Sequence, residues 1–218
     1  MTRLMGVVLW PIASIVAVLI VGLALLFHLL TLPGRRLLPR EGRTTVDGVI
    51  TLADAERVCR ESGLTGWALV AFAQRLVARK FTYSRRNPWD TAPRAFERGM
   101  GYCQQQALAL NLLLTRLGFR SRLVYATRVA FPRKVVHGVE EPAGVGGHTW
   151  LRVGVGGEER DVCPGNVANE PGRVHFKPLS PVKELTPILR PFTHLASVVV
   201  NVSRDRRSTG FRADGARR

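Results

Sequence analysis

Three residues of this 218-residue chain have the types and the order that thiol chemistry needs: Cys103, His148 and Asp161. A cysteine attacks a carbonyl carbon as the thiolate, so a base must take its proton and later return it to the leaving group. A third group must hold that base in the productive tautomer. Histidine suits the first role near neutral pH, and a carboxylate suits the second. The oxyanion that forms in such an attack needs donors, for which the backbone N–H of Cys103 is one candidate and the side chains of Gln104 and Trp89 are others.

The elements around these residues are readable. Thr51-Leu52-Ala53-Asp54 offers a capping box, and the apolar positions that follow predict a short helix ending near Gly63, with Cys59 inside it as a small buried hydrophobe. A second helix is expected from about Thr65 to Lys80, where Trp67, Leu69, Val70, Phe72, Leu76 and Val77 make a wide apolar stripe. Asn87-Pro88 and Ala92-Pro93 then break the chain into loop. From Gln104 onward good helix formers crowd the sequence up to Gly118, and Gly99 and Gly101 precede them, so Cys103 opens a strongly apolar helix. At that position the positive end of the helix dipole favours thiolate over thiol.

Arg122 to Val129 reads as a strand, and Phe131 to Gly147 as a long Gly/Pro-rich excursion. His148 to Val153 alternates as a strand does. Gly156-Gly157 forms a hairpin turn, and Arg160-Asp161-Val162-Cys163 begins the returning strand. His148 and Asp161 are therefore expected on neighbouring antiparallel strands. Alternation puts Cys163 on the same face as Asp161, where it reads as a structural thiol; His137 and His175 read as surface or structural histidines.

Several stretches together resemble the transglutaminase-like cysteine superfamily. They are Gly99-x-Gly101-Tyr102-Cys103-x-x-x-Ala107-x-x-Leu110, then Leu113-x-x-x-Leu117-Gly118-Phe119-x-x-Arg122-x-Val124, then Gly147-His148-x-Trp150, and finally Asp161. The resemblance covers about residues 65–165. It implies an α+β, papain/transglutaminase-like core in which a nucleophile helix packs on an antiparallel sheet, with Cys103, His148 and Asp161 as nucleophile, base and orienting acid. It implies acyl chemistry on an amide or peptide bond of a protein or peptide substrate, through a thioester; no cofactor is expected, and no local ligand pair supports a metal site on Cys103, Cys163 and His148. Gly101-Tyr102-Cys103, Leu117-Gly118-Phe119 and Asp161-Val162 also resemble the arylamine N-acetyltransferases, which transfer acetyl from acetyl-CoA. A catalytically silent, membrane-bound binding module on the same fold is a third reading.

Around this core the sequence sets a membrane context. No Asp, Glu, Lys or Arg occurs between Arg3 and Arg35, and Leu4 to Leu32 is long and apolar enough for a single uncleaved span. Arg35, Arg36, Arg40 and Arg43 follow it, which by the positive-inside rule puts the C-terminal domain in the cytoplasm. The expected organisation is an anchor over 1–32, a juxtamembrane linker over 33–50, the α+β domain over 51–200 and a basic, disordered tail over 201–218. With 32 Lys+Arg against 16 Asp+Glu, the net charge of +16 suits an anionic membrane surface contacted by the linker and the tail. No helix-turn-helix, zinc-finger or ribonucleoprotein motif points to specific nucleic-acid binding. Three cysteines, widely spaced, give no disulfide framework.

Overall fold

The computed structural model describes residues 15, 18–23, 26, 45–84, 88–136, 139–141, 143–197 and 199. The chain forms two units, one of Met1–Leu38 with Val199–Arg218 and one of Pro39–Val198. In the first, residues 15, 18–23 and 26 are helical and exposed. Among the described residues no helix is long and apolar enough to cross a membrane. Most of the expected span, the linker up to 44 and the tail over 201–218 lie outside the described residues.

The second unit begins before the expected boundary. Val46 and Val49 bridge across a tight turn with Asp47 at φ 52°, and Val49 is fully buried in the core. Thr51 then caps α1 (Leu52–Glu61): its Oγ1 accepts from the Asp54 N–H at 3.2 Å, and the Asp54 carboxylate accepts from the Thr51 N–H at 2.8 Å. These bonds satisfy donors that the helix end would leave open, and they hold the Asp54 carboxyl below the usual carboxylate range. Next comes α2 (Gly66–Lys80), which buries Val70, Ala73, Leu76 and Val77.

Short strands and helices then lead to the central element: β1 (Thr82–Tyr83), α3 (Ala92–Arg98), β2 (Met100–Gly101) and α4 (Cys103–Arg116). The expected loop at Ala92-Pro93 is instead the first turn of α3, because proline lacks only an N–H that this turn cannot use. Gly99, at φ 70°, ends α3 in the left-handed conformation that a β-carbon would disfavour. Strand β2 runs parallel to β1, and the Ser84 N–H donates to the Gly101 carbonyl at 3.1 Å. On α4, Ala107, Leu110, Leu113 and Leu114 are fully buried. Each leucine contributes about 1.5–3 kcal/mol by leaving water.

Helix α4 packs on β3 (Arg120–Phe131) and β6 (Gly144–Val155), the two long strands of an antiparallel sheet. Between them runs a small ribbon, β4 (Lys134–Val136) with β5 (Val139–Glu141), inside the stretch expected to be irregular. The sheet is completed by β7 (Glu158–Val162), β8 (Lys177–Pro178) and β9 (Lys183–Glu184), in the order β7-β6-β3-β8 with β9 also on β3. Alternation gives the sheet two buried faces. Leu123, Leu151, Val153 and Val162 join the main core with α4, whereas Val124, Ala126, Trp150 and Cys163 join a second cluster closed by Phe176. The α+β class is as the sequence implies.

The close approach that starts α4 is testable. A β-carbon on Gly101 would lie 2.9 Å from Phe81 Cε1 and 3.2 Å from Gln105 Cβ, with the Gln105 Oε1 at 3.0 Å, while one on Gly144 would meet nothing within 4 Å. Gly101→Ala is expected to destabilise the protein by about 1–3 kcal/mol in urea unfolding. Gly144→Ala should stay within about 0.5 kcal/mol of the parent.

Candidate active site

Cys103 is the first residue of α4 and is half-buried. Its neighbours fix where the helix starts. The Gln105 Oε1 accepts from the Tyr102 N–H at 3.2 Å, and the Gln105 Nε2 donates to the Asp90 carbonyl at 2.9 Å. Asp90 is itself ion-paired with Arg98. The loop carrying Trp89 is thereby tied to the helix's first turn, and Trp89 stands there half-buried.

Successive residues of a helix point about 100° apart, so Gln104, Gln105 and Gln106 reach in three directions. Gln104 turns to the helix over 190–197: its Nε2 donates to Thr193 Oγ1 at 3.4 Å, and its Oε1 accepts from Ser197 Oγ at 3.2 Å. Tyr102 joins that contact, with its hydroxyl 2.9 Å from His194 Nδ1 and 3.4 Å from Gln104 Oε1. Burial pushes the Tyr102 hydroxyl above its ordinary pKa and the His194 imidazole below its own, so both are held neutral. The Gln104 amide is committed to this latch.

Gln106 points the third way. It is 3% exposed; its Nε2 donates to the Gly101 carbonyl at 3.0 Å, and its Oε1 is buried with no hydrogen-bond partner. The position a Gly165 Cβ would take lies 3.9 Å from that oxygen, 3.9 Å from His148 Cε1 and 3.3 Å from Cys163 Sγ. Gly165 is thus where the first turn of α4, the His148 ring and Cys163 come together. A side chain there would fill the space.

His148 is 9% exposed on β6, and aromatic rings fix its plane. Trp150 stacks on it at 5.9 Å and 18°, while Phe176 at 4.7 Å and Phe131 at 5.2 Å meet it edge-on. Its Nε2 lies 3.3 Å from Cys163 Sγ, which also accepts from the Gly165 N–H at 3.4 Å. Burial pushes the Cys163 thiol up to about 12; the Gly165 bond opposes that rise, and charge on Cys103 and on Asp161 adds to it. Cys103 and Asp161 therefore both act electrostatically on Cys163, which stays a neutral thiol. The loop beyond it is pinned by Asn169, whose Nδ2 donates to the Cys163 carbonyl at 2.9 Å and whose Oδ1 accepts from His175 N at 3.2 Å. The Gln74 Nε2 donates to the Asn169 carbonyl at 2.6 Å. The His175 ring is half-buried there, with its Nδ1 also on Asn169 Oδ1.

Asp161 is placed elsewhere on the same face. It stands opposite Arg152 in the β6–β7 ladder, and its Oδ1 accepts from Arg152 Nε at 3.1 Å with both side chains about a third exposed. Four residues separate 152 from 148, about 13 Å along a strand. The sequence reading paired Asp161 with His148; the structure sets Asp161 with Arg152 and Cys163 with His148. Counting from the turn finds this partner. With Val155 opposite Glu158 across Gly156-Gly157, position 150 falls opposite 163 and 148 opposite 165, which leaves Cys163 diagonal to His148. Gln106 has a weaker signal, its place one helical turn after Cys103, which it shares with no other member of the Gln104-Gln105-Gln106 run. Among the described residues no group of three or more His, Cys, Asp and Glu could hold a metal ion.

No protein-family model matches the chain, and no curated protein matches it. Among solved structures it is similar to a "putative cysteine protease" from Cytophaga hutchinsonii at 10% identity and a TM-score of 0.38, over 67% of this chain and 51% of that one. It is also similar to a "putative protease" from Parabacteroides distasonis at 11% identity and a TM-score of 0.37, over 61% of this chain and 26% of that one. The chain thus spans from a quarter to about half the length of these two proteins.

Proposed function

We propose that this chain is a thiol enzyme acting on an amide or peptide bond, with Cys103 as nucleophile and His148 as base. The supporting observation is the corner at Gly165, where the helix bearing Cys103 and the ring-caged His148 meet around one small space. In the reaction, the Cys103 proton passes to an imidazole nitrogen and the sulfur forms a bond to the carbonyl carbon, sending the C=O π pair onto oxygen. The N–H groups at the start of α4, which lack intrahelical acceptors, face the negative charge that develops. Collapse of the intermediate breaks the C–N bond. The departing amine takes the proton from the imidazolium and leaves a thioester on Cys103. Water or an amine, deprotonated by His148, then attacks the thioester and frees the thiolate.

Selective alkylation tests this reading without a known substrate. Cys59 and Cys163 are buried, with thiols pushed up to about 11 and about 12, so they should react slowly. Iodoacetamide applied to the folded full-length chain across pH, with peptides mapped by mass, is expected to label Cys103 fast at a pH well below the ordinary thiol pKa of about 8.5. The rate should fall by about tenfold or more in His148→Ala. Labelling of Cys103 that is slow and indifferent to His148 is the result a silent binding module gives.

For its setting, we propose a single membrane anchor over 1–32 with the C-terminal domain in the cytoplasm, and with the basic segments on either side of the domain against anionic lipid. The support is the uncharged run between Arg3 and Arg35, the four arginines after it and the net charge of +16. A reporter active only in the cytoplasm, fused after Arg218, is expected to be active. Activity of an export-dependent reporter at that position would reverse the orientation.

A further inference from the structure

We infer that Cys163 is the residue that positions the His148 imidazole, accepting a hydrogen bond from Nε2–H so that Nδ1 is the nitrogen that exchanges a proton with Cys103. The inference rests on the reading of His148 as the base. Its ground is geometric: the Nε2 to Sγ contact of 3.3 Å, made inside a ring cage that leaves the imidazole little freedom to turn. The sulfur is placed for this role from its other side too. The Gly165 N–H donates to it at 3.4 Å, and the absence of a β-carbon on Gly165 keeps the space next to it open.

A neutral thiol that accepts two N–H groups must direct its own S–H elsewhere. The Gln106 Oε1 borders the same space, 97% buried and without a hydrogen-bond partner, because its Nε2 is committed to the Gly101 carbonyl. One bridging water would link the S–H to it. Asp161 stands opposite Arg152, whose Cα is about 13 Å along the strand from that of His148, and its carboxylate is engaged there with Arg152 Nε. A neutral sulfur orients an imidazole without the charge stabilisation that a carboxylate lends to imidazolium. Cys163 is thus a positioning residue, and its effect is exerted through tautomer and ring orientation.

The test is the ring nitrogen chemistry of His148, read by 15N NMR of the full-length chain at a pH above its imidazolium titration, where the ring is neutral and has a tautomer. The parent is expected to show the Nε2–H tautomer. Cys163→Ser, which keeps an acceptor at the same place, should retain it; Cys163→Val should lose it and label Cys103 with iodoacetamide roughly tenfold more slowly, the cost of a wrong tautomer. Cys163→Asp should raise the His148 pKa by putting a carboxylate against Nε2. Asp161→Asn should change none of these signals. Should Asp161→Asn shift the tautomer while the Cys163 variants leave it alone, or should the parent hold its proton on Nδ1, the assignment of Cys163 is overturned. The NMR signals require no catalysis, so they stand apart from the labelling in His148→Ala that tests the enzyme reading itself.

Discussion

The position at which α4 begins is the constraint on which the rest of the site depends. A thiol gains reactivity from a helix only within its first turn, where unpaired N–H groups and the dipole act on it. Three features hold that start at Cys103. The left-handed Gly99 ends α3, Gly101 allows Phe81 and Gln105 to close on the backbone, and the Gln105 amide spans from the Tyr102 N–H to the Asp90 carbonyl. A start displaced by one residue would rotate Gln104, Gln105 and Gln106 each by about 100°. The latch to the helix over 190–197, the tie to the Asp90 loop and the approach to Gly165 would then all be lost together.

The sheet answers that constraint by having two buried faces. Alternation sends Leu151 and Val153 into the core that supports α4, and sends His148 and Trp150 to the other side, among Phe176 and Cys163. His148 therefore belongs to a small aromatic cluster and not to the leucine core, and its surroundings are apolar and nearly dry. In such surroundings a thiol is an inexpensive neighbour. A carboxylate would need its own partners, as Asp161 finds in Arg152 at a third of full exposure.

Much of this was legible in the sequence, for physical reasons. The capping box at Thr51, the long apolar run after Cys103 and the Gly156-Gly157 turn are local signals, and the structure places α1, α4 and the β6–β7 hairpin where they indicate. Pro93 misled because a proline that ends one helix is equally at home in the first turn of another. The buried Val49 and the helix over 190–197 escaped notice because their places are set by long-range contacts with no local period. The pairing of His148 depended on counting rather than composition. Alternation brings Asp161 and Cys163 to one face, and only the register from the turn tells which of them stands beside residue 148.

The central claim, that the start of α4 and His148 make Cys103 a thiolate near neutral pH, is measured most directly by ultraviolet thiolate absorbance. The titration would be recorded for the folded full-length chain and for Cys103→Ser, and the two curves subtracted, which cancels Cys59 and Cys163. The expected difference is a single ionisation with its midpoint well below the ordinary thiol value of about 8.5. A difference curve that rises only at or above that value would contradict the account.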